Sequence, residues 1–297
     1  MKGEQTIKRG AVRTAPVGLA GLAGRILAGA VAVLLISAAF GDRALAITGG
    51  EVDQDNTYFN VGAVVWLPPD SSGPIVGLSG TLVHPRVVLT AGHGTIFMEQ
   101  NPWMIPNCYV SFGTDARDPM TWHAIEAVIT HPNYNPLAWN QSCNDVGVII
   151  LKEPIYEVPL ATLPCEGFLD DLKADHLLRR PGQGGVPFRV VGYGSTIEWP
   201  PPENIPGDGL RRFADSEYLG LTAGWLITLQ NLAAGSAGTG LGDSGGPAFW
   251  VDTDGTLVLA ALTGHGDPNL VAMGFYWRVD IPETLSFIAR VIEAVEP

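Results

Sequence analysis

The sequence predicts an all-β protein built from many short strands, and three observations carry that expectation. Its 37 glycines and 23 prolines provide frequent turns. Its 297 residues are 46% hydrophobic, enough for a substantial core. Short β-rich runs recur between clusters of Pro, Gly, Asn and Asp, at residues 60–67, 75–83, 87–90, 108–112, 146–151, 188–191, 257–263 and 273–279. Several are nearly all apolar, as strands buried on both faces are.

Residues 1–46 stand apart from this pattern. Lys2, Lys8, Arg9 and Arg13 precede an apolar run at 26–40, and Ala44-Leu45-Ala46 follows, which is the order of a secretory signal peptide. The run is shorter than the roughly 20 residues of a membrane-spanning helix. A cleaved signal and a secreted product are therefore expected, with a tilted or uncleaved anchor as the alternative. The stretch 166–185, charged and ending in Pro181-Gly182-Gln183-Gly184-Gly185, reads as a surface connection between two halves at 47–165 and 186–281. Helical spacing dominates only in the last segment, 282–297. There Pro282 suits a first turn, and Leu285, Ile288, Ala289 and Ile292 recur at three and four residues. That helix is expected to pack on the second half.

The formal charge of −13 becomes −17 once the six basic and two acidic side chains of residues 1–46 are removed. A nucleic-acid partner is not suggested. Three cysteines, Cys108, Cys143 and Cys165, permit at most one internal disulfide. All three pairings are open, and Cys108 with Cys143 is the expectation. No metal-ligand spacing is present, and neither a metal nor another cofactor is expected.

The chemistry concentrates in Gly242-Asp243-Ser244-Gly245-Gly246-Pro247. Small residues around the serine let the backbone bend and bring amide hydrogens close to a ligand oxygen. These six residues resemble the nucleophile motif of the trypsin and chymotrypsin family, in its bacterial-type secreted form. Val88-Leu89-Thr90-Ala91-Gly92-His93 is similar to the family's histidine motif, and Asn144-Asp145-Val146-Gly147-Val148-Ile149 to its aspartate motif. They also occur in the family's order.

The resemblance covers essentially residues 47–290 and implies two six-stranded antiparallel β-barrels with the catalytic residues at their junction. It implies a monomeric serine endopeptidase acting on proteins or peptides. Ser244 is then the nucleophile, His93 its base, and Asp145 the group that orients and stabilises the imidazole. The amides of Gly242 and Ser244 form the oxyanion hole. Ile47-Thr48-Gly49-Gly50 is similar to the family's mature N-terminus, whose ammonium pairs with the aspartate before the nucleophile, here Asp243. A cut after Ala46 releases that amine directly. A second class of function is a protease-like binding protein without turnover; such relatives typically lose a triad residue, and none is lost here.

Two departures from the family bear on rigidity and specificity. Leu78 and Gly94 stand where two cysteines flank the histidine motif, and Gly240 replaces a cysteine that braces the pocket. Gly238 falls where Arg- or Lys-specific members keep an aspartate, and Gly274 matches a glycine of the pocket wall. This implies an uncharged pocket for apolar or aromatic side chains. Thr239 and His265 are further pocket candidates, and His265 in the pocket would admit an acidic side chain. Thr263 stands where the family has a serine bonded to the catalytic aspartate. His84, His123, His131 and His176 read as surface or structural residues.

Overall fold

The computed structural model describes residue 47 and residues 49–69, 73–138, 142–195, 208–267 and 272–296. The expected signal segment at 1–46 lies outside the described residues. All described residues belong to one compact unit.

Two closed antiparallel barrels form, as expected. The first is built from β2 (Val61–Trp66), β3 (Ile75–His84), β4 (Val87–Thr90), β5 (Cys108–Ser111), β6 (Trp122–Thr130) and β7 (Gly147–Leu151), in the order β2-β3-β4-β7-β6-β5. The second uses β8 (Pro187–Gly192), β9 (Arg212–Leu221), β10 (Trp225–Leu229), β11 (Pro247–Val251), β12 (Leu257–Gly266) and β13 (Met273–Arg278). It runs β9-β10-β13-β12-β11-β8 and closes through β8 on β9. β4 and β7 are buried throughout, which accounts for their uninterrupted apolar sequences.

The short strand β1 (Glu51–Val52) belongs to the second barrel, pairing with β9 although it precedes the first barrel in sequence. It is held there by a buried ion pair. Arg211 Nε donates to Asp53 Oδ2 at 2.8 Å, with both side chains at most 1% exposed. The same guanidinium donates to the carbonyls of Val61 and Phe112 in the first barrel and to the Tyr193 hydroxyl in the second. Asp53 in turn accepts from the Thr57 and Tyr58 amides. A buried charge pair persists only when its remaining donors and acceptors are met, and here they are met by the junction itself.

The helices depart from expectation. α1 (Gly92–Gln100) directly follows β4 and was not legible, because it buries only Gly92, Gly94, Thr95 and Met98 and so carries no apolar stripe. The connection at 166–185 contains α2 (Phe168–Ala174), pinned to the second barrel by a Leu169 amide bond to Asp280 and an Arg278 bridge to Asp170. The terminal helix α3 (Pro282–Val295) begins at Pro282 as expected, but its buried face is Thr284, Phe287, Ile288 and Val291, while Ala289 is exposed. Nor does it pack on the second half alone. Thr284 accepts from the Trp277 indole, whereas Phe287 meets the ring of His131 from the first half at 5.0 Å.

The expected Cys108–Cys143 bridge is not formed; all three cysteines are free thiols. Cys108 is buried on β5 beside Met98 and Met104, and Cys143 is buried in a different cluster with Val146 and Val148. Burial pushes both thiols up to about 12, which makes them inert. Packing replaces the missing cysteines at the histidine motif too. A Cβ on Gly94 would collide with the Leu78 side chain, so Leu78 already fills the space over that glycine.

Removing the Arg211 guanidinium leaves Asp53 buried without its partner. Arg211→Ala is expected to lower stability by about 3–5 kcal/mol, read as a shift in the urea midpoint with little change in slope.

Candidate active site

The three motifs converge where the barrels meet. β4 ends at Thr90, and Ala91-Gly92 turn the chain into α1 so that His93 emerges in its first turn. Gly92 is required at this turn, since a Cβ would lie 2.9 Å from the Val146 nitrogen. That approach brings the aspartate loop alongside. Asp145 is fully buried, accepting from the His93 backbone amide at 2.8 Å, while the His93 ring Nδ1 lies 2.9 Å from Oδ2 and 3.1 Å from Oδ1. Asn144, at φ +50°, fixes the loop by donating to the carbonyls of Asn133 and Ser142.

These contacts set the charge preference of the imidazole. Burial disfavours imidazolium, but the charge of Asp145 and its hydrogen bond together outweigh burial, and the His93 pKa is raised above 6.5. The ring is 29% exposed, so it still faces the cleft. With Asp145 accepting at Nδ1, the other nitrogen is free to take a proton.

The Ser244 turn comes from the second barrel, immediately before β11. Gly242 and Gly245 take φ of +96° and +80°, values that a side chain tolerates poorly. A Cβ on Gly245 would also strike the Thr90 hydroxyl and the Ala91 nitrogen, so the serine turn rests on the strand end that presents His93. Ser79 of β3 fastens the two barrels here. Its amide donates to the Ser244 carbonyl at 2.9 Å, and its hydroxyl donates to the Gly242 carbonyl and accepts from the Tyr193 amide. Thr90 donates back to the Ser79 carbonyl. Among the described residues, neither the Gly242 nor the Ser244 amide donates a hydrogen bond. Two uncommitted amides thus flank the serine.

Beneath this turn lies Asp243, fully buried. Its carboxylate accepts from the Gly194 and Gly240 amides at 2.7 Å each, and from the Ile47 backbone nitrogen. Burial nevertheless raises its pKa to about 7, an effect that the amide bonds and the charge of Arg212 offset only in part. Ile47 is likewise fully buried, with φ of +52°, an outlier for a β-branched residue.

The remaining candidates lie on two faces of one sheet. Thr239 and Gly274 gather against Tyr276, whose hydroxyl is 3.3 Å from Thr239 Oγ1, while Gly238 lies against the side chain of Gln230, which donates to the Thr239 carbonyl. His265 faces the other way. β12 and β13 shift register between Thr263 and His265, so Thr263 pairs with Tyr276 whereas His265 pairs with Phe275. The His265 ring stacks on Phe275 at 4.5 Å and meets Trp225 edge-on at 5.0 Å. Burial lowers its pKa, although Asp145 opposes this. Thr263 departs from the resemblance: its hydroxyl is buried with no hydrogen-bond partner among the described residues, and its backbone instead pairs with Gly245 and Gly246. Gly240 carries no side chain for a simple reason. The backbone carbonyl of Ser195 occupies the space, and the Ser195 amide donates to Leu241.

Three residues at this site were not read from sequence. Ser79 and Thr90 lie within or beside matched motifs, and the neighbouring Gly80, whose Cβ would lie 2.9 Å from the Leu89 carbonyl, was the available signal of close approach. Gln230 had none, since its place depends on how β10 meets β13. Among the described residues no group of three His, Cys, Asp or Glu is placed to hold a metal, and no helix is long and apolar enough to cross a membrane.

Compared with known proteins, the chain matches the family model described as Trypsin over residues 74–285. No curated protein matches it.

The balance at His93 has a testable sign. In Asp145→Asn the raising interactions are weakened while burial remains, so the His93 ring is expected to titrate below 6.5 instead of above it, as followed by NMR of the ring protons.

Proposed function

Because this chain belongs to the trypsin family, a family of serine proteases, we propose that it is itself an active, secreted serine endopeptidase working through an acyl-enzyme. The observation that carries the reading is the clasp of Asp145 on the His93 backbone and ring, with the Ser244 turn resting on the same strand end.

The cycle follows from these positions. His93, neutral at its outer nitrogen, takes the Ser244 proton as the hydroxyl attacks the scissile carbonyl. The imidazolium that forms is stabilised by Asp145. Charge on the carbonyl oxygen is met by the Gly242 and Ser244 amides, each worth on the order of 10²- to 10³-fold in turnover. His93 then protonates the leaving amine, and water repeats the sequence in reverse to release the acyl group. Since the base must be neutral, the acid limb of kcat/KM is expected above pH 6.5.

Activation is proposed to coincide with export. A cut after Ala46 frees the Ile47 amine beside Asp243, exchanging an amide dipole for an ammonium. The backbone torsion that is unfavourable at Ile47 inside a continuous chain also ceases to exist at a new terminus. Without the amine, ionising Asp243 penalises the folded state: the penalty grows as pH rises from the ordinary carboxylate pKa and is complete above about 7, reaching about 4 kcal/mol. With the amine, the sign reverses. The pocket bounded by Gly238, Thr239 and Gly274 holds no acidic side chain among these residues, which favours apolar or aromatic substrate residues over Arg or Lys.

Three outcomes test this. Amino-terminal sequencing of secreted protein is expected to start at Ile47, and another start contradicts the activation scheme. Activity is expected to fall as pH rises past the amine's unperturbed range of about 7.7–8.0, whereas a flat profile argues against the ion pair. Ser244→Ala is expected to abolish turnover and fluorophosphonate labelling with a stability change within about 0.5 kcal/mol; an unlabelled wild type points instead to a binding protein without turnover.

A further inference from the structure

Gln230 follows β10 and is 1% exposed. Its side chain lies between the two pocket glycines. A Cβ on Gly238 would collide with its Cγ and amide, and a Cβ on Gly274 would lie 3.1 Å from its Cδ. The glutamine thus excludes a side chain at Gly238, and it shares the exclusion at Gly274 with Tyr276, whose Cε2 such a Cβ would meet first, at 2.8 Å.

The orientation of its amide is settled by chemistry. Nε2 lies 3.0 Å from the Thr239 carbonyl and 3.2 Å from the Thr239 hydroxyl. A carbonyl only accepts, so the nitrogen faces Thr239 and Oε1 faces elsewhere. Oε1 is buried with no hydrogen-bond partner among the described residues. The adjacent Thr239 hydroxyl is already engaged, by Gln230 Nε2 and by the Tyr276 hydroxyl. A buried acceptor left unmet is costly, and a ligand donor that reaches it recovers that cost.

We infer that Gln230 is the specificity-determining residue at the base of the substrate pocket, selecting an uncharged side chain that ends in a hydrogen-bond donor. The inference rests on the peptidase reading and narrows it. A donor on tyrosine or glutamine meets Oε1, while phenylalanine or methionine of similar shape leaves it unmet. An ammonium also donates, but it enters a buried site without a counter-charge and pays for its lost hydration. Discrimination of this kind is strong because the enzyme group, not only the substrate, is left unpaired by the wrong partner.

The test uses peptide substrates that differ only in the residue before the scissile bond, compared as the pairs Tyr with Phe and Gln with Met. The donor member of each pair is expected to have a kcat/KM about 10- to 100-fold higher. In Gln230→Met, which keeps the side-chain length and removes the acceptor, both ratios are expected to collapse to about one. Turnover with wild-type ratios near one, as a permanently bound water on Oε1 produces, overturns the inference and leaves the peptidase reading standing. Ratios unchanged in Gln230→Met overturn it as well. The wild-type comparison needs no variant, so failure of Gln230→Met to fold does not leave the question undecided. Absence of turnover on every peptide, together with absence of fluorophosphonate labelling, overturns the peptidase reading and this inference with it.

Discussion

The buried carboxylate of Asp243 is the constraint on which the site depends. It sits under the Ser244 turn and joins three separate segments through the Ile47, Gly194 and Gly240 nitrogens. A Cβ on Gly192 or Gly194 would collide with it, so the chain around the carboxylate is cleared of side chains. Its direction fixes the backbone between Gly242 and Gly245, and with it the two uncommitted amides beside Ser244. The amide donors and the charge of Arg212 together do not offset burial, and its pKa stays at about 7. The proposed function therefore turns on one charge supplied from elsewhere in the chain.

The segment that supplies that charge in the proposed scheme is anchored by the fold. β1 pairs with the second barrel, and the buried Arg211–Asp53 pair clamps the following turn to both barrels. Gly50 then donates to the Ile47 carbonyl, curling the segment back toward Asp243. Family disulfides are absent from this arrangement, and shape complementarity stands in their places. Leu78 covers Gly94, and the Ser195 carbonyl passes where a side chain on Gly240 would project. Such bracing is indifferent to redox conditions, consistent with three free thiols in an export candidate.

The fold class and the three motifs were legible because their determinants are local. His93, Asp145 and Ser244 each sit in a run whose glycines and apolar neighbours are dictated by one turn or one strand. The eight strands read from apolar runs have little polar interruption, whereas β6 and β9 interleave exposed Glu126 and Asp215 with buried residues; β10 and β11 are also apolar but are only five residues each and were not among the runs read. What sequence could not supply were relations across distance. Ser79 reaches a turn more than 160 positions away, and Arg211 reaches Val61 across 150. The role of Gln230 requires the pairing of β10 with β13, and the outward turn of His265 follows from a register shift between β12 and β13. The Cys108–Cys143 bridge failed for the same reason: counting cysteines does not say which core each one faces.

The most direct test compares two refolded chains that differ by one residue, one starting at Ile47 and the other at Ala46. In the longer chain an amide takes the place of the ammonium and everything else is kept. Active-site titration with a burst substrate at neutral pH is expected to find the Ile47 chain fully competent and the Ala46 chain slower by at least about 10²-fold, the scale of a lost oxyanion donor. Equal activity in the two chains would contradict the central place given to Asp243.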